Sequence, residues 1–168
     1  SVGADGLAFL PYMAGERTPH NDSNARGVFF GLHLGHLPGH LVRAVLEGGC
    51  FALRDSFELM RALGVSVESV TAIGGGARSR VWRQMQADVF DIPVTTVNPG
   101  GGPAYGTAVL AAVGAGRFCS VQEAVDTWTS VGEIVDPEPH AARVYDELYG
   151  LYRTLYPSLK ERFAHATS

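Results

Sequence analysis

Residues 69–88 read Ser69-Val70-Thr71-Ala72-Ile73-Gly74-Gly75-Gly76-Ala77-Arg78-Ser79-Arg80-Val81-Trp82-Arg83-Gln84-Met85-Gln86-Ala87-Asp88. The apolar, β-branched run Val70 to Ile73 passes straight into three glycines, and a helix-patterned segment follows at once, so the stretch reads as strand, glycine turn, helix. Such a turn suits a nucleotide. Glycines let a ligand approach the backbone and supply conformations that a Cβ resists, while a helix start offers N–H groups and the positive end of a dipole. Working outward, the helix is expected over Ser79 to Phe90, with Ser79 as N-cap and Trp82, Met85 and Val89 as its apolar stripe. A second strand, Ile92 to Val97, completes a β-α-β unit and places the chain in the α/β class.

Upstream, the apolar run Leu7 to Tyr12, the turn-rich stretch Ala14 to Asn24 and the run Gly27 to Leu32 predict a strand, a long loop and a strand, buried on both faces. Leu41, Val45, Ala52, Phe57, Met60 and Leu63 recur at helical spacing over Pro38 to Leu63, with Pro38 in the first turn and Gly64 as the C-terminal cap. Gly48-Gly49 in mid-helix costs roughly 1 kcal/mol per residue relative to Ala, so another element is expected to pack closely there. Downstream, Asn98-Pro99-Gly100-Gly101-Gly102-Pro103 leads into a helix of small residues, Ala104 to Gly114, suited to close packing on a sheet. Gly116 ends it, Ser120 opens a short helix to about Trp128, and Gly132 to Val135 reads as an edge strand. A closing helix spans His140 to Phe163 on the stripe Val144, Leu148, Leu151, Tyr152, Leu155, Leu159 and Phe163, with Pro157 expected to kink or divide it.

The 168 residues are 46% hydrophobic and 18% charged, a globular composition with room for a sizeable core. Thirteen Lys and Arg against 17 Asp and Glu give a net charge of -4, which points away from a nucleic-acid surface. No apolar run approaches the roughly 18 to 20 residues that cross a bilayer, and no signal segment opens the chain, so a cytoplasmic protein is expected. Because the chain begins at Ser1 rather than Met, it is expected to be a piece of a longer protein. Cys50 and Cys119 lack C-x-x-C spacing and read as two buried thiols. His20, His33, His36 and His40 have no Cys or paired carboxylate nearby in sequence, and no metal site is assigned to them.

Two common nucleotide loops are removed by the residues themselves. The phosphate loop G-x-x-x-x-G-K-[ST] requires a Gly-Lys pair, and none occurs. The dinucleotide fingerprint wants a third glycine where Ser79 stands, and an acid at the end of the next strand where the chain has Thr96, Val97 and Asn98.

Ile73-Gly74-Gly75-Gly76-Ala77-Arg78-Ser79, followed by Trp82, Gln84, Met85 and Ala87-Asp88, resembles the adenosine segment of the FGGY carbohydrate kinases, and among them that of the xylulose kinases. Pro11-Tyr12-Met13-Ala14-Gly15-Glu16-Arg17-Thr18-Pro19-His20-Asn21 is similar to the P-Y-L-S-G-E-R-T-P-H-N stretch of that group. The span from Gly27 through Phe29, Gly31-Leu32, His40-Leu41 and Ala44 to Glu47 follows the family's C-terminal signature, and Gly102-Pro103-Ala104-Tyr105-Gly106-Thr107-Ala108 resembles its G-P-A-x-G-A-A segment. The resemblance covers residues 7–116.

The resemblance implies a ribonuclease H-like (actin-like, hexokinase-like ATPase) fold with a mixed sheet flanked by helices, incomplete at its N-terminal hairpin. Residues 1–168 would then be the C-terminal nucleotide-binding domain of an FGGY-type sugar kinase, partnered by an N-terminal sugar-binding domain of the same parent chain. The whole enzyme would use Mg-ATP, with Mg2+ as cofactor, to phosphorylate D-xylulose to D-xylulose 5-phosphate, its catalytic aspartate lying in the missing upstream part. The fragment alone would be inactive. Gly74, Gly75, Gly76, Ala77, Arg78 and Ser79 are the implied ATP/ADP contacts. Ser79 stands where several relatives carry an Asn, so it is either a nucleotide contact or a plain N-cap, and Arg78 either lies over the adenine or is solvated. Glu16, Arg17 and Thr18 read as a solvated turn or, from the resemblance, as a structural or cleft element. Two other readings stay open: a kinase of glycerol, gluconate or ribulose, and a non-catalytic actin-like module. The second is motivated by Tyr145, Tyr149 and Tyr152 on the long last helix, which would serve self-association, for instance as a homodimer.

Overall fold

The computed structural model describes residues 1–98 and 102–166. In chain order its elements are β1 (Ala8–Leu10), β2 (Val28–Phe30), α1 (Pro38–Ala62), β3 (Val70–Thr71), α2 (Arg80–Phe90), β4 (Val94–Asn98), α3 (Pro103–Gly114), α4 (Val121–Trp128), β5 (Ser130–Val135) and α5 (Pro139–Ala166). They form a mixed α/β arrangement in two compact units. The first holds Ser1–Val67, Asp88–Asp91 and the chain from Pro137 onward; the second holds Glu68–Ala87 and Ile92–Asp136.

In the first unit, β1 and β2 pair antiparallel with Ala8 opposite Phe30 and Leu10 opposite Val28, the expected strand, loop, strand. Burial on both faces holds only for β1: Ala8, Phe9 and Leu10 are buried because α1 and α5 pack on β1, whereas Phe29 and Phe30 of β2 stay 39% and 45% exposed. Helix α1 starts with Pro38 in its first turn and ends at Gly64, whose φ of +82° sets a left-handed cap. The Gly64 N–H donates to the Arg61 carbonyl (2.9 Å) and the Val65 N–H to that of Met60 (3.0 Å), which satisfies two of the helix's last carbonyls. Gly48 of the mid-helix pair is explained by β1, since a Cβ there would lie 2.2 Å from the Phe9 carbonyl oxygen.

The buried faces of α1 and α5 differ from the aliphatic stripes expected. On α1 the buried residues are Ala44, Glu47, Gly48, Cys50, Phe51 and Asp55, while Val45 and Leu63 are exposed. On α5 the buried side is Ala141, Ala142, Tyr145, Tyr149, Tyr152, Leu155, Tyr156 and Phe163, with Leu151 outside it. The reason is polar pairing inside the core. Tyr145 Oη donates to Glu47 (2.8 Å), Tyr149 Oη to Asp55 (2.6 Å), and Tyr156 Oη to Asp22 (2.9 Å). Glu47 also accepts from Arg43 Nε (2.7 Å) and the Gly3 N–H (2.9 Å), so its buried charge is neutralised and hydrogen-bonded. These pairs let the helices face each other through tyrosine and acid, which an apolar pattern does not register. Tyr145, Tyr149 and Tyr152 are 0%, 4% and 1% exposed, so they form core and not a self-association surface. Helix α5 runs undivided through Pro157, with buried Tyr152, Leu155 and Tyr156 before the proline and Phe163 beyond it. Their packing outweighs the roughly 3 kcal/mol penalty of an interior proline.

In the second unit the sheet runs β3-β4-β5. β3 and β4 are parallel, Val70 opposite Val94 and Thr71 opposite Thr95, joined by α2 as the β-α-β pattern predicts. β5 is antiparallel to β4, with Val94 opposite Val135 and Asn98 opposite Ser130. The glycine turn does not lead directly into α2; a 3-10 turn over Gly76–Arg78 intervenes. Helix α3 has only Val109 buried, a departure from the close sheet packing expected of its small residues, and it packs on α4. Pro99, Gly100 and Gly101 of the expected glycine-rich connection lie outside the described residues.

Candidate functional site

A cavity of about 480 Å³ opens in the second unit at the carboxyl ends of parallel β3 and β4. Ala72, Ile73, Gly74, Gly75, Ala77 and Arg78 line one side, and Thr96, Val97, Asn98, Arg83 and Glu133 the other. In open α/β sheets, ligands bind in crevices outside the carboxyl ends of parallel strands. Gly74 has φ +79°, a conformation that needs glycine, and it bends the chain out of β3. Gly75 lies in ordinary helical space at φ -63°, and a Cβ there would meet nothing within 4 Å. Its missing side chain therefore leaves backbone bare beside the cavity. Gly76 has a different reason: a Cβ would lie 3.2 Å from Trp82 Nε1, so the glycine lets the indole tuck against the turn.

Of the six residues expected at the site, Gly74, Gly75, Ala77 and Arg78 line the cavity, and Gly76 and Ser79 do not. Ser79 serves as the N-cap of α2: its Oγ accepts the Trp82 N–H (3.3 Å) and its carbonyl the Arg83 N–H (3.0 Å). Sequence reasoning missed Arg83 and Glu133. Arg83 is 7% exposed; its Nη1 donates to the Ala77 carbonyl and its Nη2 to Glu133 Oε2. Arg80 Nε reaches the other carboxylate oxygen at 3.4 Å. The available signal was position alone, since Arg83 lies one turn after Ser79 and so projects back toward the turn that precedes the helix. Two arginines against one glutamate give the lining an excess of positive charge, suited to an anionic ligand. Glu133 is ion-paired with Arg83 and, more distantly, with Arg80.

Other expected residues lie in the first unit. The Glu16 to Asp22 loop closes on itself through two backbone bonds, Glu16 N–H to Asp22 O (2.8 Å) and the reverse (2.7 Å), and Glu16 Oε1 accepts the Thr18 N–H (2.6 Å). His20 stacks on Tyr156 at 3.6 Å between ring centroids, and Asp22 accepts the Tyr156 hydroxyl. These contacts give the loop a structural role on α5. Burial lowers the His20 pKa, and the Asn24 N–H bonded to Asp22 holds that carboxyl below its usual range. Asp5, His33 and His36 come together on the surface. Nδ1 of His33 accepts the Gly35 N–H (3.0 Å) and Nδ1 of His36 the His33 N–H (3.0 Å), so both Nδ1 atoms are engaged by backbone. Cys50 is buried as expected; Cys119 is exposed, at the start of the α4 cap.

An α/β unit with a glycine-lined crevice at its strand ends has the form in which open α/β sheets take up ligands. The chain belongs to the FGGY family of carbohydrate kinases, whose C-terminal domain matches residues 1–115. It is 41% identical over 95% of its length to a xylulose kinase of Staphylococcus epidermidis, of which it covers 32%. Among solved structures it is similar to the ligand-bound xylulose kinase of Lactobacillus acidophilus, with a TM-score of 0.87 and 30% identity over 98% of this chain and 34% of that one. A gluconate kinase of the same organism gives a TM-score of 0.85 at 30% identity, over 98% of this chain and 33% of that one. The chain thus spans about a third of the length of these relatives.

Proposed function

We propose that residues 1–168 are the C-terminal, nucleotide-binding domain of a cytoplasmic xylulose kinase, with a ribonuclease H-like fold whose N-terminal hairpin and sugar-binding partner domain belong to the rest of the parent chain. The observation that carries this is the bare backbone of Gly74 and Gly75 beside a cavity of about 480 Å³ at the ends of two parallel strands. ATP or ADP would lie there, the adenosine and α-phosphate against the turn. The similarity to xylulose kinases supports D-xylulose as acceptor, and the gluconate kinase likeness makes another sugar or polyol, such as gluconate, ribulose or glycerol, the second reading.

In this scheme the domain binds and positions; the reacting groups are elsewhere. Phosphoryl transfer rests chiefly on positioning and charge stabilisation, with closure excluding water. The chain's own residues hold the nucleotide through backbone contacts at the turn and through the positive lining from Arg78 and Arg83. Mg2+ would supply neutralisation of the phosphate charge when bound with the nucleotide; among the described residues lining the cavity, Glu133 is the one carboxylate, and it is ion-paired with Arg83. A carboxylate supplied by the partner domain would take the acceptor hydroxyl's proton. Steady-state assays of the full-length protein with Mg-ATP and a panel of D-xylulose, D-ribulose, gluconate and glycerol test the reading. The highest kcat/KM is expected for D-xylulose; indifference to every pentulose and polyol would overturn it.

A further inference from the structure

We propose that Arg83 and Glu133 act as a positioning brace that fixes the height of the glycine turn for the nucleotide, an inference that rests on the nucleotide reading of the cavity. The turn has little else to hold it. β3 is two residues long, its ladder to β4 ends with Ala72 N–H to Thr95 O (2.8 Å), Gly74 and Gly75 have no neighbour that a Cβ would touch, and the 3-10 turn is closed by Arg78 N–H to Gly75 O (3.2 Å) and Ser79 N–H to Gly76 O (3.1 Å). Apart from the Trp82 indole against Gly76, steric packing does little to set the turn's distance from the sheet. Arg83 supplies that restraint: one end of its buried guanidinium holds the Ala77 carbonyl inside the turn, and the other holds Glu133 on β5.

Glu133 is itself fixed to the sheet. Its N–H donates to Thr96 Oγ1 (2.9 Å), and the Thr96 hydroxyl lies 3.4 Å from its carbonyl. Gly132 makes this approach possible, since a Cβ there would lie 2.4 Å from Thr96 Oγ1. The linkage thus runs from β4 through Thr96 and Glu133 to Arg83 and the turn, and Ala77, Arg83, Thr96 and Glu133 all line the cavity. A planar guanidinium spans two acceptors in a fixed geometry; an ammonium on a flexible stem does not. Arg80, 79% exposed and 3.4 Å from Glu133, is peripheral to the linkage.

Glu133→Gln, Arg83→Lys, the double variant and Arg80→Ala, each in the full-length protein, test this by ADP calorimetry, steady-state kinetics and melting temperature. Wild-type protein that fails to bind ADP would sink the nucleotide reading itself. Given wild-type binding, the brace predicts that Glu133→Gln and Arg83→Lys each raise the ADP Kd and the ATP KM about tenfold, with kcat and sugar KM within about twofold. The double variant should bind no more weakly than the worse single variant, and Arg80→Ala should bind as wild type. Glu133 is 47% exposed, so Glu133→Gln is expected to fold even if Arg83→Lys does not, and it decides alone in that case. Unchanged nucleotide affinity in Glu133→Gln, or a sugar KM rising in step with the ATP KM, would overturn the proposal.

Discussion

Asp55 and Gly48 show how far single residues depart from a hydropathy reading. Burial raises the Asp55 pKa, against the lowering effects of the Tyr149 hydroxyl and of Arg153 and Arg54, with Glu58 adding to the rise. A carboxyl raised in the folded state stabilises most below its ordinary pKa, near about 4, and that contribution is lost as pH rises through the folded value. Asp55→Asn keeps an acceptor for Tyr149 but cannot ionise. Its melting temperature relative to wild type should therefore rise as pH increases above about 4; a difference that does not change with pH would show that Asp55 titrates normally. At Gly48 the expectation is steric. Gly48→Ala places a methyl 2.2 Å from the Phe9 carbonyl oxygen, so α1 must move off β1, at a cost of about 1–3 kcal/mol measurable by urea denaturation. The sequence exposed this contact through the expense of a mid-helix glycine pair. It concealed Glu47 and Asp55, because an acid in a helix is read as surface until its hydroxyl, amide and guanidinium partners are known. Arg83 was hidden in the same way, its partners being 50 residues off on β5 and in a turn carbonyl.

Among elements, legibility followed local chemistry. The starts and stops written in short-range signals were found: Pro38 and Gly64 bound α1, Ser79 caps α2, Ser120 caps α4, and the β-α-β order holds. The Ser120 cap is a quantitative case. Its Oγ accepts the Glu123 N–H (3.1 Å), and Glu123 Oε2 accepts the Cys119 N–H (2.7 Å), a reciprocal arrangement of the capping-box kind. Ser120→Ala should cost about 1 kcal/mol by chemical denaturation, and an unchanged midpoint would count against the cap. The features that failed depend on distant partners. The stripe of α5 turned toward its tyrosines because Glu47, Asp55 and Asp22 receive their hydroxyls, and Pro157 did not divide the helix because packing continues beyond it.

For the molecule as a whole, the glycine run told most of the story of the site. It marked the strand end, the turn and the helix start, and four of the six expected residues line the cavity. On the other wall, Thr96, Val97 and Asn98 come from β4, which the β-α-β pattern placed beside β3, and Glu133 from β5, whose pairing with β4 no short-range pattern announces. If nucleotide occupies the space beside Gly75, a side chain placed there by Gly75→Leu must displace it. The position has φ -63° and open space around a Cβ, so the backbone accepts a side chain while the cavity is filled by it. Calorimetric titration of ADP into the full-length protein should show binding by wild type and at least a roughly 100-fold weaker Kd for Gly75→Leu, at unchanged melting temperature. Equal ADP affinity in the two proteins would contradict the account.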